Sequence, residues 1–368
     1  MALASAFCRI STLLLLIFSA SASASDGSAD TDNQYPSVAG YYEFFVYLPL
    51  GQTPEVAYAE QSCTGALISS KVILTAAHCT AYNYTEDVGI EGYHDAVWVT
   101  FDTVATANDF RCFLAAQQVP YSQYLTGAYA CDPNKLSDPF PTFRRAAVTG
   151  RRNGVDIAHG LTHPGFLRPE LKPDGTAERA IPNLQNAPDV AALILEQPVV
   201  DRAPMAIRGP GELNTIANLK GMPAVSVGYG LNWTKLTGQP PTRGLGPMTD
   251  LGGGNGVKRI AMLGPIDTVH DNSFVPRQST QRGDNAVCFG DSGSPTFLVQ
   301  NGKVNKTVSA VLSGATNWCQ GSKDPYYRID QPEAQQFIQC VIAHQDNVKA
   351  ACTACSAENY FGLCNELQ

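Results

Sequence analysis

The chain has 368 residues, 44% of them hydrophobic and 16% charged, which is enough to bury a large core in one domain or a compact pair of barrels. A formal net charge of −8 argues against nucleic acid as a partner, because phosphate binding needs a basic footprint. With 32 glycines, 24 prolines and modest charge, many turns and few long amphipathic helices are expected, which favours a mainly β protein.

The N-terminus reads as an export signal. Arg9 precedes the apolar run Leu13 to Phe18, and Ala20-Ser21-Ala22 and Ala22-Ser23-Ala24 are both A-x-A cleavage patterns. Residues 1–24 are therefore read as a signal peptide, and the mature chain is expected to be secreted and extracellular. The apolar run is too short to span a bilayer, and no later segment approaches twenty apolar residues, so no membrane partner is expected. Cys8 leaves with the signal, so ten of the eleven cysteines remain, an even number suited to disulfides. Asn83-Tyr84-Thr85, Asn232-Trp233-Thr234 and Asn305-Lys306-Thr307 are N-glycosylation acceptor patterns if the producing cell is eukaryotic.

Tyr41 to Leu50 is aromatic and β-branched, as an early strand should be. Ala66-Leu67-Ile68 and Val72-Ile73-Leu74 flank Ser69-Ser70-Lys71, a hairpin signature leading into His78. Ala96 to Phe101 is a further strand. Cys112 and Cys131 bracket a loop rich in Tyr, Gln and Pro, read as an excursion closed by its own disulfide. Val190 to Leu195 is a compact buried strand with Asp189 at its entrance. The second half begins near Val199. Pro223 to Gly230 reads as a strand ending in a glycine turn, and Gly238 to Gly256 as a mobile surface loop. Val308 to Leu312 and Tyr326 to Ile329 supply later strands. In Gln331 to His344, Pro332 comes early and Ala334, Phe337, Ile338, Val341 and Ile342 share one helical face, which predicts a terminal helix.

Chemistry concentrates in two strings. Cys288-Phe289-Gly290-Asp291-Ser292-Gly293-Ser294-Pro295 sets a serine in a tight turn flanked by glycines, and Thr75-Ala76-Ala77-His78-Cys79 sets a histidine beside a cysteine. A serine hydroxyl is a poor nucleophile until a neighbouring base takes its proton, and glycines let backbone N–H groups approach a developing oxyanion. The two strings, in this order, resemble the trypsin-like (chymotrypsin-fold) serine protease family. The likeness is strongest over residues 61–80, 187–195, 286–295 and 308–329.

The resemblance implies an all-β fold of two six-stranded antiparallel barrels. The expected layout is a protease domain over 25–345, divided near 199, then a Cys-rich tail over 346–368. It implies Ser292 as nucleophile, His78 as general base, and the N–H groups of Gly290 and Ser292 as the oxyanion hole. Asp189, which opens an apolar strand, is the implied orienting carboxylate; the spacing of 189 − 78 = 111 residues is longer than the family usually shows, and Asp156 and Asp174 are rivals. The segment His163-Pro164-Gly165-Phe166 resembles one that relatives carry before their aspartate and supports Asp189. Cys63–Cys79 and Cys288–Cys319 are the implied disulfides. The substrate pocket falls on Ala286, Ser313, Gly314 and Ala315; with no charge at Ala286, a small or uncharged side chain is the expected preference, and Tyr326 is expected to fill space usually left by glycine.

The family's usual activation cut follows a basic residue, yet no Lys or Arg lies between Arg9 and Lys71. Asp291 must then pair with the amine left by signal removal or with an arginine, or stay unpaired in a weakly active protein. The tail cysteines Cys340, Cys352, Cys355 and Cys364 allow three connectivities, with disulfides favoured over zinc in an exported chain. The expected activity is a secreted serine endopeptidase, a monomer without cofactor or metal, acting on protein or peptide substrates and meeting proteinaceous inhibitors. The alternative is a catalytically silent relative that binds another secreted protein.

Overall fold

A computed structural model of the chain describes residues 27–47, 56–81, 93–152, 155–158, 160–171, 177–182, 187–230, 256–278, 285–314, 323–365 and 367. The expected signal peptide, most of the 238–256 loop, Asn83 and Asn232 lie outside the described residues.

In chain order the strands begin with β1 (Ser28–Ala29), β2 (Val38–Tyr47), β3 (Val56–Leu67) and β4 (Val72–Thr75). The short helix α1 (Ala77–Ala81) precedes β5 (Tyr93–Thr100), and helix α2 (Ala107–Ala116) follows it. Next come β6 (Arg144–Arg145), β7 (Gly150–Arg152), β8 (Val155–Ala158), β9 (Leu161–Thr162), the hairpin β10 (Leu167–Leu171) and β11 (Ala177–Pro182), and β12 (Ala191–Ile194). The second half holds β13 (Pro223–Gly228), β14 (Arg259–Val269), β15 (Ser273–Pro276), β16 (Pro295–Gln300), β17 (Lys303–Leu312) and β18 (Tyr326–Arg328). Helices α3 (Pro332–Ala343) and α4 (Val348–Cys355) close the chain.

Strands β14, β13, β16, β17, β18 and β15 pair in that order, and β15 returns to β14, closing a six-stranded antiparallel barrel. In the first half β5, β2, β3, β4 and β12 are successive neighbours. The ring comes round through residues 144–147: β6 pairs with β5, Ala146 bridges Leu195, and the Ala147 N–H donates to the Ile194 carbonyl at 2.7 Å. The architecture is the chymotrypsin-like double barrel, with the first ring joined on that side by a bridge instead of a full ladder. One departure from a purely antiparallel fold is clear. The β7–β8 hairpin attaches to this sheet through a parallel β5–β8 pairing.

Local sequence explains the elements. β4 (Val-Ile-Leu-Thr) and β12 (Ala-Ala-Leu-Ile) are buried at every position, as strands covered on both faces should be. The segment after β5 departs from the expected loop, because Cys112 sits in α2. Thr106 caps that helix: its hydroxyl accepts from the Asp109 N–H, and the Asp109 carboxylate accepts from the Thr106 N–H. The Cys112–Cys131 disulfide closes the excursion as expected. The terminal helix forms where its apolar stripe predicted, with Pro332 at its first turn. It packs between the barrels: Ala334, Phe337, Ile338 and Val341 share a core with Leu74 and Ala192 of the first and Val225, Phe297 and Val311 of the second. No helix among the described residues is long and apolar enough to cross a membrane.

Candidate active site

His78 sits in α1, directly after the all-buried strand β4. Ala77 and Ala81 are small and fully covered, so the helix packs closely, and the Cys63–Cys79 disulfide ties it back to β3. Asp189 sits just before β12, which pairs with β4 in the register Ala191 to Thr75. That pairing delivers the carboxylate to the histidine. Asp189 Oδ2 lies 2.9 Å from His78 Nδ1, and Oδ1 accepts the His78 main-chain N–H at 2.9 Å. Ser313 Oγ also donates to Asp189 Oδ2. Asp189 is 5% exposed, whereas the imidazole keeps about a third of its surface open (33%). Burial pushes the imidazole pKa down, yet the Asp189 charge and hydrogen bond outweigh it and hold the value above 6.5. Of the rivals, Asp156 lies on β8 opposite Arg151, and Asp174 is outside the described residues.

The turn carrying Ser292 is built against the same place. The Ser292 carbonyl accepts the Thr64 N–H at 2.8 Å, and the Gly293 N–H donates to the Leu312 carbonyl at 2.9 Å. Gly293 (φ +80°) leaves no room for a side chain, since a Cβ would lie 2.2 Å from Thr75 Oγ1 and 2.8 Å from the Ala76 nitrogen. The Ser292 turn thus rests on the two residues that lead into α1. Gly290 (φ +90°) is held by its carbonyl, which accepts from Gln61 Nε2 at 2.8 Å and Thr64 Oγ1 at 2.9 Å. Among the described residues, neither the Gly290 nor the Ser292 N–H has a protein acceptor, so both donors stay available. Among those residues no hydrogen bond joins Ser292 Oγ to His78 Nε2.

Asp291 is not left unpaired. Its carboxylate accepts the Gly230 N–H at 2.7 Å and the Cys288 N–H at 2.8 Å, so main chain from β13's end and from the turn itself holds it. The close approach explains Gly228 and Gly230, where a Cβ would fall 2.2 and 2.4 Å from that side chain.

Around the expected pocket, Ala286 and Val287 are buried. Gln278 Oε1 accepts the Val287 N–H at 3.1 Å, and Gln278 Nε2 donates to Tyr326 Oη at 3.4 Å. Tyr326 is fully buried and stacks on Phe274 with ring centroids 5.9 Å apart. Burial, followed by the charges of Asp324 and Asp291, drives its phenol pKa well up. Sequence reading missed Asp324. It is wholly buried and close enough to Tyr326 to raise that phenol's pKa. Ser313 turns to Asp189, Gly314 follows it, and Ala315 is outside the described residues. Cys288 is disulfide-bonded; its expected partner Cys319 is also outside them.

Among the described residues, two groupings have metal-like composition, Cys63-His78-Cys79 and Cys340-His344-Cys355, but every sulfur in them is committed to a disulfide. The tail connectivity is Cys340–Cys355 and Cys352–Cys364. Asn305 lies on β17, its amide nitrogen donating to Gln300 Oε1 at 3.0 Å.

A search of curated proteins gave no match. The trypsin family model matches residues 35–108, a span that contains β2 to β5 and His78 but neither Asp189 nor Ser292. The double barrel supplies the rest of the architecture around that segment. Family match and fold together support the resemblance of this chain to the trypsin-like serine protease family.

Proposed function

We propose that the mature chain is a secreted serine endopeptidase that cleaves peptide bonds through an acyl-enzyme. The carrying observation is the double tie between Asp189 and His78, which fixes both the main chain and the ring of the proposed base. A hydrogen bond at Nδ1 keeps that proton in place and leaves Nε2 free to accept one. Ser292 Oγ attacks the substrate carbonyl while His78 Nε2 takes its proton, and the uncommitted N–H groups of Gly290 and Ser292 receive the oxyanion. The imidazolium then protonates the leaving amine. Water repeats the sequence on the acyl-enzyme, with His78 again as base, and frees the acid.

The hydrogen bond missing between Ser292 and His78 favours the second reading, a silent relative that binds a secreted protein. Catalytic hydrogen bonds often tighten only once substrate is bound, so the peptidase reading is preferred. A serine-directed fluorophosphonate separates the two. The peptidase reading expects labelling at Ser292, located by mass spectrometry and lost in His78→Ala; folded protein that resists the probe over the whole pH range supports the silent binder. Secretion, a monomeric state, N-glycans on Asn83, Asn232 or Asn305 and encounters with proteinaceous inhibitors belong to this same proposal.

A further inference from the structure

The chain continues beyond its terminal helix α3 into a stapled tail, and that tail does not hang free. Cys340–Cys355 fastens α4 to α3, and Cys352–Cys364 fastens the last described residues to α4. Between those staples, Ala357 and Leu363 are buried in one cluster with Ala77 and Ala81 of α1, with Ala191 of β12, and with Phe166 and Leu167. The tail therefore covers the back of the helix that carries His78 and of the strand that follows Asp189.

A polar chain runs through the same contact. Glu358 is wholly buried, and both its carboxylate oxygens lie 3.1 Å from the Thr162 N–H. Thr162 is itself a junction: it pairs with Ala191 in the β9–β12 ladder, and its hydroxyl meets the Thr80 hydroxyl at 2.8 Å. Thr80 is two residues beyond His78, and Ala191 two beyond Asp189. The Arg151 N–H donates to the Leu363 carbonyl at 2.9 Å, a second tie of the tail to the first barrel.

We propose that the disulfide-stapled tail is a working part of the site, in which Glu358, acting through Thr162 and Thr80, is a positioning residue that keeps α1 and the start of β12 in the register that seats Asp189 against His78. A buried carboxylate fixed from one side by two disulfides is a rigid anchor; the β9–β12 ladder and the Thr162–Thr80 hydroxyl contact transmit its position. The inference rests on the peptidase reading only for its catalytic consequence; the geometry of the His78–Asp189 pair can be tested without turnover. Asp189 is the charged group that meets the imidazole, and the buried Tyr327 phenol lies in the fields of Glu333 and Asp189.

The experiment is an NMR titration of the six histidines in the full mature chain, with the His78 signal assigned by its loss in His78→Ala. Wild type, Glu358→Leu, Glu358→Gln and Thr80→Val are compared, and fluorophosphonate labelling rates are followed in parallel. In Glu358→Leu the His78 pKa is expected to fall by about one unit, the lower end of what an adjoining carboxylate supplies, because Asp189 drifts from the ring. Thr80→Val keeps the shape and loses the hydroxyl, and it should shift the value in the same direction. Glu358→Gln retains an acceptor for the Thr162 N–H and should restore the wild-type titration. A tail that merely stabilises the fold would lower the melting temperature and leave the titration unmoved in the folded variants, and that result overturns the proposal. Should Glu358→Leu fail to fold, Thr80→Val decides alone. A wild type that never labels at Ser292 overturns the peptidase reading and leaves the titration to decide this inference separately.

Discussion

Replacing Asp189 with asparagine tests the proposed mechanism at its most constrained point. The carboxylate accepts from the His78 main-chain N–H, from Nδ1–H and from Ser313 Oγ. An asparagine has one oxygen for the two histidine donors. If it serves the main-chain N–H, its amide donates to Nδ1, which moves the ring proton to Nε2 and blocks base catalysis. If it serves Nδ1, two donors face each other at the main chain, a buried mismatch of about 1–3 kcal/mol. Loss of the negative charge removes a further contribution of about 1–3 pKa units to the imidazolium, at about 1.4 kcal/mol each. With the ring a third exposed, solvent screening favours the lower half of that range, so the total is about 3–5 kcal/mol. Ser292 labelling by a fluorophosphonate should then slow by about 10²–10⁴-fold in Asp189→Asn. The rate is measured by stopped labelling and mass spectrometry, with thermal melting as the control for folding. A folded variant within about fivefold of wild type would refute Asp189 as the orienting residue.

Other outcomes follow from separate features. Labelling of wild type should rise with pH through a midpoint above 6.5, because the imidazole must be neutral to act as base and its pKa is held up. By linkage, the stabilisation from His78 protonation is complete below the unfolded value of about 6.5 and disappears as pH climbs through the higher folded value; a midpoint below 6 would contradict the Asp189 pairing. His163 has the opposite sign. Burial lowers its pKa while its Nδ1 accepts the Gly165 N–H and its Nε2 faces the Glu333 carbonyl, so thermal stability should drop as pH falls below about 6.5, and His163→Gln should flatten that limb in a melting series. Replacing both Cys352 and Cys364 by serine opens a loop of separation 12 and should cost about 3 kcal/mol in denaturant melts. Peptide-library digestion reads the pocket. Buried Ala286 predicts small or uncharged side chains at the cleaved position, and dominance of Arg or Lys there would overturn that reading.

The elements that sequence made legible are those whose signal is local. The buried β4 and β12, the hairpin at Ser69–Lys71 and the stripe of α3 all follow from runs of apolar residues at fixed periods. Helix α2 was hidden because the Tyr- and Gln-rich composition between Cys112 and Cys131 masked its start signal, although Thr106 and Asp109 stand at capping-box spacing. Asp324 was hidden for a different reason. Its neighbourhood forms only when β18 is laid beside β15 and β17, and nothing in the string Asp324-Pro325-Tyr326 announces burial.

The junction between the barrels shows why the site itself was only half readable. Thr64 looks ordinary in sequence, yet its N–H holds the Ser292 carbonyl, its hydroxyl donates to the Gly290 carbonyl and accepts the Tyr229 N–H, and its carbonyl accepts from Thr75 Oγ1. One residue of the first barrel thereby fixes the Ser292 turn of the second and the strand that leads to His78. Apart from the bond to Thr75, these contacts are backbone and hydroxyl bonds across more than 150 residues of chain, as the 226-residue separation of Thr64 from Gly290 makes plain. A motif can name the residues that do chemistry; the bonds that seat them depend on which two strand ends meet. Thr64→Val keeps the shape and removes only the hydroxyl, leaving the Gly290 carbonyl with Gln61 alone and the Tyr229 N–H without its acceptor. Slower Ser292 labelling with little change in probe affinity is the expected result, and an unchanged rate in the folded variant would show that the oxyanion turn holds itself.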